Sequence, residues 1–320
     1  MDKLEFAGED QNLDKYMIIV NPISANGKTG RIWPGIAAEL SRQGLNYDFQ
    51  LTSGSKDATR LAKKALQDGY RTVVAVGGDG TINEVVNGFY DEKDGSLINS
   101  DSRLGIIASG TGRDFIKSLG YPAGFKETGK ILVRGQCRPI DIGQVKYQGY
   151  GKEEESSFFI NVAGMGMDGE TVHRVNHTSK ALGGKISFLG GTIMTLVQYR
   201  NRELTLEIDG MVRYHGAATL AVVANGQYIG GGMRIAPQAK LDSGYFDIII
   251  ANELGKLEMI ANLPRLYRGT HLDHPKVYAM KGTHIRCTSR QKVLLNVDGE
   301  QPGILDAEFN MAPHRLQVIC

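Results

Sequence analysis

The residues whose types and spacing point most directly to chemistry lie in Val73-Val74-Ala75-Val76-Gly77-Gly78-Asp79-Gly80-Thr81-Ile82-Asn83-Glu84-Val85-Val86-Asn87-Gly88. Four small or β-branched apolar residues predict a buried strand. Three glycines then bracket Asp79, and Thr81 and Asn83 are candidate caps for a helix through Val85, Val86 and Phe89. Such a strand, turn and helix start form an anion site. Glycine lets the backbone approach closely, and free N–H groups and the helix dipole favour negative charge. Asp79 would repel bare phosphate there, so a cation or a proton network belongs between them.

Two more polar, glycine-containing stretches follow strand-like runs. The first is Asn21-Pro22-Ile23-Ser24-Ala25-Asn26-Gly27-Lys28-Thr29-Gly30, which ends like a P-loop. Pro22 stands where the first glycine of that motif would fall, so the Walker pattern fails. The second is Ser109-Gly110-Thr111-Gly112-Arg113-Asp114. In a parallel sheet all three loops lie at one edge, the edge that binds ligands. Far downstream, Asn296-Val297-Asp298-Gly299-Glu300 is either an ordinary turn or the source of a carboxylate that takes a proton from an attacking hydroxyl. Lys240-Leu241-Asp242-Ser243-Gly244-Tyr245 offers oxygen ligands suited to Mg2+ or Ca2+, although a plain Asp/Ser turn has the same composition.

The elements that must position these residues read as follows. Strands are expected at Tyr16–Val20, Tyr47–Leu51, 73–76 and Leu104–Ala108, with helices at Ile32–Gln43, Ala58–Asp68 and Phe115–Leu119. This alternation implies an α/β domain with a parallel, Rossmann-like sheet and helices on both faces. After Pro139-Ile140-Asp141-Ile142-Gly143 the texture changes to short alternating segments. These are Ser157–Val162, Glu203–Ile208, Thr219–Ala224, Tyr245–Ala251, Val277–Ala279, His284–Cys287 and Val293–Val297, punctuated by turns such as Asp209-Gly210 and Asn225-Gly226. That half reads as mainly antiparallel β, interrupted by an apolar helix over 185–200 and an amphipathic one over Lys256–Tyr267. The expected division is a nucleotide-binding domain over 15–143, a β-rich domain over 144–308, and a segment 309–320 returning to the first domain.

A net charge of +2 gives no argument for a nucleic-acid partner. Cys137, Cys287 and Cys320 are odd in number and far apart, which fits a reducing compartment and supplies no metal-spaced pair. Residues 1–14 read as a loose polar tail without an apolar signal core, and no apolar run is long enough to span a bilayer. A cytoplasmic location is expected.

Two motifs read as decoys. Gly164-Met165-Gly166-Met167-Asp168-Gly169 matches G-x-G-x-x-G, but no acid stands about twenty positions on and the texture is not βαβ, so a tight turn is expected. His173 and His177 are spaced i, i+4 without the Glu of H-E-x-x-H or a third ligand, and read as solvated.

Taken together, Gly77-Gly78-Asp79-Gly80-Thr81 with Asn83-Glu84-Val85-Val86-Asn87-Gly88 resembles the signature of the diacylglycerol kinase catalytic domain, and most closely the soluble bacterial lipid kinases related to sphingosine and ceramide kinases. Asn21-Pro22 with Ser24 and Gly27-Lys28, Thr52, Gly110-Thr111-Gly112 with Asp114-Phe115, and Asp141-Ile142-Gly143 also resemble family blocks, in order. So do Asn225-Gly226, Gly230-Gly231-Gly232, Ala236-Pro237, Lys240-Leu241-Asp242, His274-Pro275-Lys276-Val277 and Val297-Asp298-Gly299-Glu300. The resemblance implies an NAD kinase/diacylglycerol kinase-like fold whose second domain is a β-sandwich. It implies ATP-dependent, Mg2+-dependent phosphorylation of a lipid hydroxyl by a cytoplasmic enzyme working peripherally at the inner membrane surface.

ATP would contact Asn21, Pro22, Ser24, Thr52, Gly77, Gly78, Asp79, Gly80, Thr81, Asn83 and Thr111. Asp79, Asp114 and Asp141 would form the network around the catalytic Mg2+, partly through water. Glu300 would be the base, with Asp298 its rival, and the 185–200 helix would help form the lipid opening. Two positions depart from the family pattern. Arg113 stands where many relatives have asparagine. Ser243 stands where relatives carry the aspartate of a second, structural Mg2+ site built with the carbonyls of Lys240 and Tyr245, and a serine oxygen is a weaker ligand. A kinase acting on NAD and a non-catalytic lipid-binding protein are the alternatives. The lipid itself and the oligomeric state, a homodimer included, stay open.

Overall fold

The computed structural model describes residues 15–110, 112–122, 124–178 and 198–320. Thr111, the 1–14 tail and nearly all of the helix expected over 185–200 lie outside these residues.

Four strands, β1 (Tyr16–Val20), β2 (Tyr47–Leu51), β3 (Thr72–Gly77) and β4 (Arg103–Ala108), pair in parallel in the order β2-β1-β3-β4. Every residue of β3 is buried, so the apolar run at 73–76 shows no alternation: both faces of this strand are covered. Helices α2 (Asp57–Gln67) and α3 (Asp79–Asn87) cover one face, seating Leu61, Ala62, Val85 and Val86 on Met17, Ile19, Val73 and Ala75. On the other face α1 (Lys28–Arg42) and α5 (Phe125–Arg134) lay Trp33, Ile36, Leu40 and Leu132 on Ile18, Val20, Val74 and Val76. A short helix α4 (Asp114–Leu119) precedes α5. At about 1.5–3 kcal/mol per buried large apolar side chain, these two layers are the main force holding the loops at the strand ends in place. Two further strands complete the sheet. β16 (Leu316–Ile319), from the chain's last residues, inserts between β4 and β5 (Cys137–Ile140), parallel to the first and antiparallel to the second.

The second half is an antiparallel assembly. Its path runs β12 (Val277–Gly282), β11 (Phe246–Asn252), β10 (Met211–Ala224), β9 (Arg202–Ile208), β13 (His284–Thr288), β15 (Gly303–Met311), β6 (Gly143–Gly149) and β7 (Glu154–Phe159). β8 (Val162–Gly166) branches off, pairing with the end of β10 and with β14 (Leu295–Val297). In the core of this half Phe159 stacks on Phe246 and meets Phe309 edge-on. Helix α6 (Met167–Thr178) follows β8, and α7 (Lys256–Arg268) follows β11.

Several local expectations are corrected. The return to the first sheet expected over 309–320 is made by β16 alone, since β15 runs on to Met311 and pairs there with β6 in the second sheet. The helix expected from Ile32 begins at Lys28, because Gly27 takes a left-handed φ of 76° and turns the chain into it at once. Thr81 and Asn83 are not caps: α3 starts at Asp79, after Gly78, and both side chains are buried inside it. The strand expected over 157–162 is split into β7 and β8, since a side chain takes the N–H groups at 160–162 that a ladder would use. The Gly164–Gly169 motif is no separate turn. β8 runs directly into α6 there, with Gly166 at a φ of 82° and Gly169 pressed on Leu294. His173 is half-buried, its Nδ1 lying 3.2 Å from Gln301 Oε1, whereas the side chain of His177 lies outside the described set.

Candidate active site

The carboxyl ends of β1, β3 and β4 bring the three glycine-containing loops together. Thr52, after β2, joins them through its N–H to the carbonyl of Val20. Asn21 Nδ2 donates to Thr81 Oγ1 at 3.0 Å, tying the first loop to α3. Thr29 Oγ1 bonds both Ser24 Oγ and Ser109 Oγ, tying the first loop to the third. Pro22 packs on Gly30, whose N–H donates to its carbonyl.

Glycine is required where these loops touch. A methyl at Gly77 would collide with Thr81 Oγ1, and one at Gly110 would meet the Cα of Gly78 at 2.6 Å. Gly110→Ala is therefore expected to lower stability by about 1–3 kcal/mol, as overpacking does. Gly54, where a methyl meets nothing within 4 Å, serves as the control, and Gly54→Ala should stay within about 0.5 kcal/mol. Urea midpoints of the two variants make the comparison.

Helix α3 opens at Gly78 without a side-chain cap, so its first N–H groups face the space between the loops. Two carboxylates stand beside it. Asp79 and Asp114 face each other across Gly112: a methyl there would lie 2.8 Å from Asp79 Oδ2 and 3.5 Å from Asp114 Oδ2. Desolvation, and then the charge of Asp114, raise the Asp79 carboxyl above its ordinary value, against N–H donors at 113–115 that include Phe115. Asp114 is held by Lys117 Nζ at 3.1 Å and by the N–H of Gly231, from the second domain, at 2.7 Å. Arg113 turns away from this pair and donates to the carbonyl of Ala108.

Asp141 is placed differently. Its carboxylate accepts from Arg315 Nε at 2.7 Å and from the N–H of Gly244 at 2.6 Å. The 240–245 turn is closed on itself as well: Ser243 Oγ donates to the Tyr245 carbonyl, the Ser243 N–H donates to the Lys240 carbonyl, and Arg315 reaches the carbonyl of Asp242. No three His, Cys, Asp or Glu side chains among the described residues gather closely enough to hold a metal unaided. A pair of facing carboxylates is nevertheless the donor set that Mg2+ uses when phosphate and water complete its shell.

Asp298 and Glu300 end β14 on opposite sides of one turn. Asp298 is buried, and both its oxygens are taken by the N–H groups of Ile160, Asn161 and Val162 and by Asn83 Nδ2. Glu300 stays open to solvent on one side while its Oε1 lies against α3, 3.2 Å from where a methyl on Gly80 would stand. Desolvation on that side, then the charge of Glu84, raise its carboxyl above the usual range. Glu84 itself anchors the start of α2 through the N–H groups of Lys56 and Ala58.

Three side chains that shape this site were not singled out from the sequence: Lys117, Glu84 and Arg315. Only Lys117 carried a local signal, its i, i+3 spacing from Asp114 on one helix.

Comparison with known proteins agrees with this geometry. Residues 15–145 match the model of the diacylglycerol kinase catalytic domain, and residues 161–320 match that of the YegS C-terminal NAD kinase beta sandwich-like domain. The chain is 30% identical over 298 residues to a diacylglycerol kinase of Staphylococcus carnosus, spanning 93% of this chain and 92% of the relative. It is 31% identical over 298 residues to one of Bacillus subtilis, covering 93% of each. In fold it is similar to the crystal structure of a diacylglycerol kinase from Bacillus anthracis, with a TM-score of 0.69, 20% identity and 96% of each chain covered. It is also similar to yeast NADH kinase complexed with NADH, with a TM-score of 0.56, 13% identity, and 97% of this chain and 84% of the other covered.

Proposed function

Because the chain belongs to the diacylglycerol kinase family, we propose that it transfers the γ-phosphate of ATP to a lipid hydroxyl, diacylglycerol being the first substrate to test. Residues 15–142 with the returning strand β16 bind the nucleotide, and 143–311 receive the lipid. The observation that carries the reading is Glu300 Oε1 from the second domain lying against Gly80 at the open start of α3.

ATP binds along Asn21, Pro22, Ser24, Thr52, Gly77–Gly80, Thr81, Asn83 and Thr111. Its terminal phosphates lie at the uncapped N-terminus of α3, where N–H groups neutralise charge. Asp79 and Asp114 would hold Mg2+, which supplies charge neutralisation on the transferring phosphoryl group, while Asp141, taken by Arg315 and the Gly244 N–H, stays outside the metal pair and braces the domain junction. The facing Asp79 and Asp114 fit that role because a cation offsets both the burial and, after it, the Asp114 charge that raise Asp79. Glu300 accepts the proton of the lipid hydroxyl as its oxygen bonds to the γ-phosphorus, and ADP leaves. At the 240–245 turn, the Ser243 hydroxyl and Arg315 do the tethering that a second metal would otherwise do. No helix of the described residues is long and apolar enough to cross a membrane, and the enzyme meets its lipid at the inner membrane surface.

The test is a radiolabelled-ATP screen against extracted lipids with diacylglycerol, phosphatidylglycerol, a sphingoid base, a polyprenol and NAD as separate arms. Label entering diacylglycerol supports the reading, and label entering NAD alone overturns it. Asp79→Asn is expected to slow lipid phosphorylation on the order of 10²-fold without loss of thermal stability, since it relieves a like-charge contact. An unchanged rate would remove Asp79 from the mechanism.

A further inference from the structure

Helix α7 presents an apolar stripe to solvent. Leu257 is 84% exposed, Ile260 45% and Tyr267 45%, and Pro264 is exposed between them. Positions 257, 260, 264 and 267 recur at the three- and four-residue spacing of one helical face. The opposite face, carrying Met259, Leu263 and Leu266, closes a nearly all-apolar cavity of about 70 Å3 against the second domain. The helix is thus apolar on two sides, and among the described residues only one of them is covered. Leaving large apolar side chains in water on a thirteen-residue helix loses burial energy.

The charges along the helix are one-sided. Arg265 and Arg268 are exposed beside the stripe. The helix's one acid, Glu258, is engaged by Lys276, His274 and the N–H of Gly255. Exposed acids near the helix, Glu253 and Asp273, lie in the segments before and after it. An apolar stripe rimmed by arginines is complementary to a bilayer with anionic headgroups, where apolar side chains enter the acyl boundary and arginines meet phosphate.

The helix is also connected to the site. The carbonyl of Leu266 accepts the Arg234 N–H, and three residues earlier Gly231 donates its N–H to Asp114. Arg234 packs on Gly269, just past the end of the helix. One short loop therefore runs from the helix to the Asp79–Asp114 pair.

We propose that the outer face of α7 is the surface by which this protein docks on anionic membranes, holding its cleft at the lipid surface. The proposal rests on the lipid-kinase reading and adds where the bilayer lies. The test uses the full chain and sedimentation with phosphatidylcholine vesicles with or without phosphatidylglycerol. Wild type should bind the anionic vesicles, and Leu257→Ser/Ile260→Ser should bind them at least about tenfold more weakly. Arg265→Glu/Arg268→Glu should lose the preference for phosphatidylglycerol. Both variants should phosphorylate a short-chain, monomerically dispersed diacylglycerol at the wild-type rate.

Three outcomes overturn docking at this face: wild type that ignores vesicles, variants that bind within twofold of wild type, and a wild-type dimer that the Leu257/Ile260 variant converts to monomer. Failure of wild type on every lipid, short-chain diacylglycerol included, overturns the functional reading instead, so the two failures are distinguishable.

Discussion

Glu300→Gln is expected to reduce lipid phosphorylation by about 10²–10⁴-fold, the usual contribution of a positioned general base. The amide keeps the shape of the side chain and its place against Gly80 but cannot accept the hydroxyl proton. Its side chain is open to solvent on one side, so the variant should fold with an unchanged urea midpoint. ATP affinity should change little, because Glu300 approaches from the second domain whereas the nucleotide loops belong to the first.

The pH profile gives a second readout. Desolvation and the charge of Glu84 raise the Glu300 carboxyl, so its proton is lost at a higher pH than for a free glutamate. A base acts only when deprotonated. The wild-type rate should therefore climb with pH through a limb lying above the ordinary carboxylate range, and that limb should vanish in Glu300→Gln. A wild-type rate in the variant, or the same acid limb in both, would assign the base elsewhere.

Much of the N-terminal half was legible because its signals are local. The apolar run at 73–76 declared a strand covered on both faces, and the structure buries every residue of β3. The three glycine loops could be placed at one edge from alternation alone, and there Thr29 joins the first to the third through Ser109 while Asn21 joins the first to the second through Thr81. What could not be read is what long-range partners decide. Nothing near Asp141 foretells Arg315, 174 residues away, as its partner. Nothing in the 157–162 run foretells that Asp298 would break it in two. Thr81 and Asn83 looked like caps because their composition suits caps. Gly78 caps the helix instead, which starts at Asp79, two residues before Thr81, and leaves both side chains to tie elements together. Local composition indicates that a helix begins; the tertiary partners of its first turn decide at which residue.

Asp298 has the opposite expected signature from Glu300, and the contrast separates the two carboxylates. Burial pushes its carboxyl up to about 6, a basicity suited to proton transfer near neutral pH. Basicity is not access, however. One oxygen accepts from Asn161 and Val162, the other from Ile160 and Asn83, and no lone pair faces a substrate hydroxyl unobstructed. What the side chain does is satisfy three backbone donors at the point where the chain leaves β7 for β8, and it joins α3 to the second domain through Asn83. Removing it strands these buried donors. Asp298→Ala is expected to cost about 3–5 kcal/mol of stability, as the loss of one partner from a buried charged network does. The cost should appear as a lower urea midpoint, with the surviving folded fraction keeping a rate within about tenfold of wild type. Glu300→Gln should do the reverse, leaving the midpoint and losing the rate. If Asp298→Ala instead keeps its midpoint and loses activity as Glu300→Gln is expected to, the buried carboxylate is the base and the roles given to the two acids are exchanged.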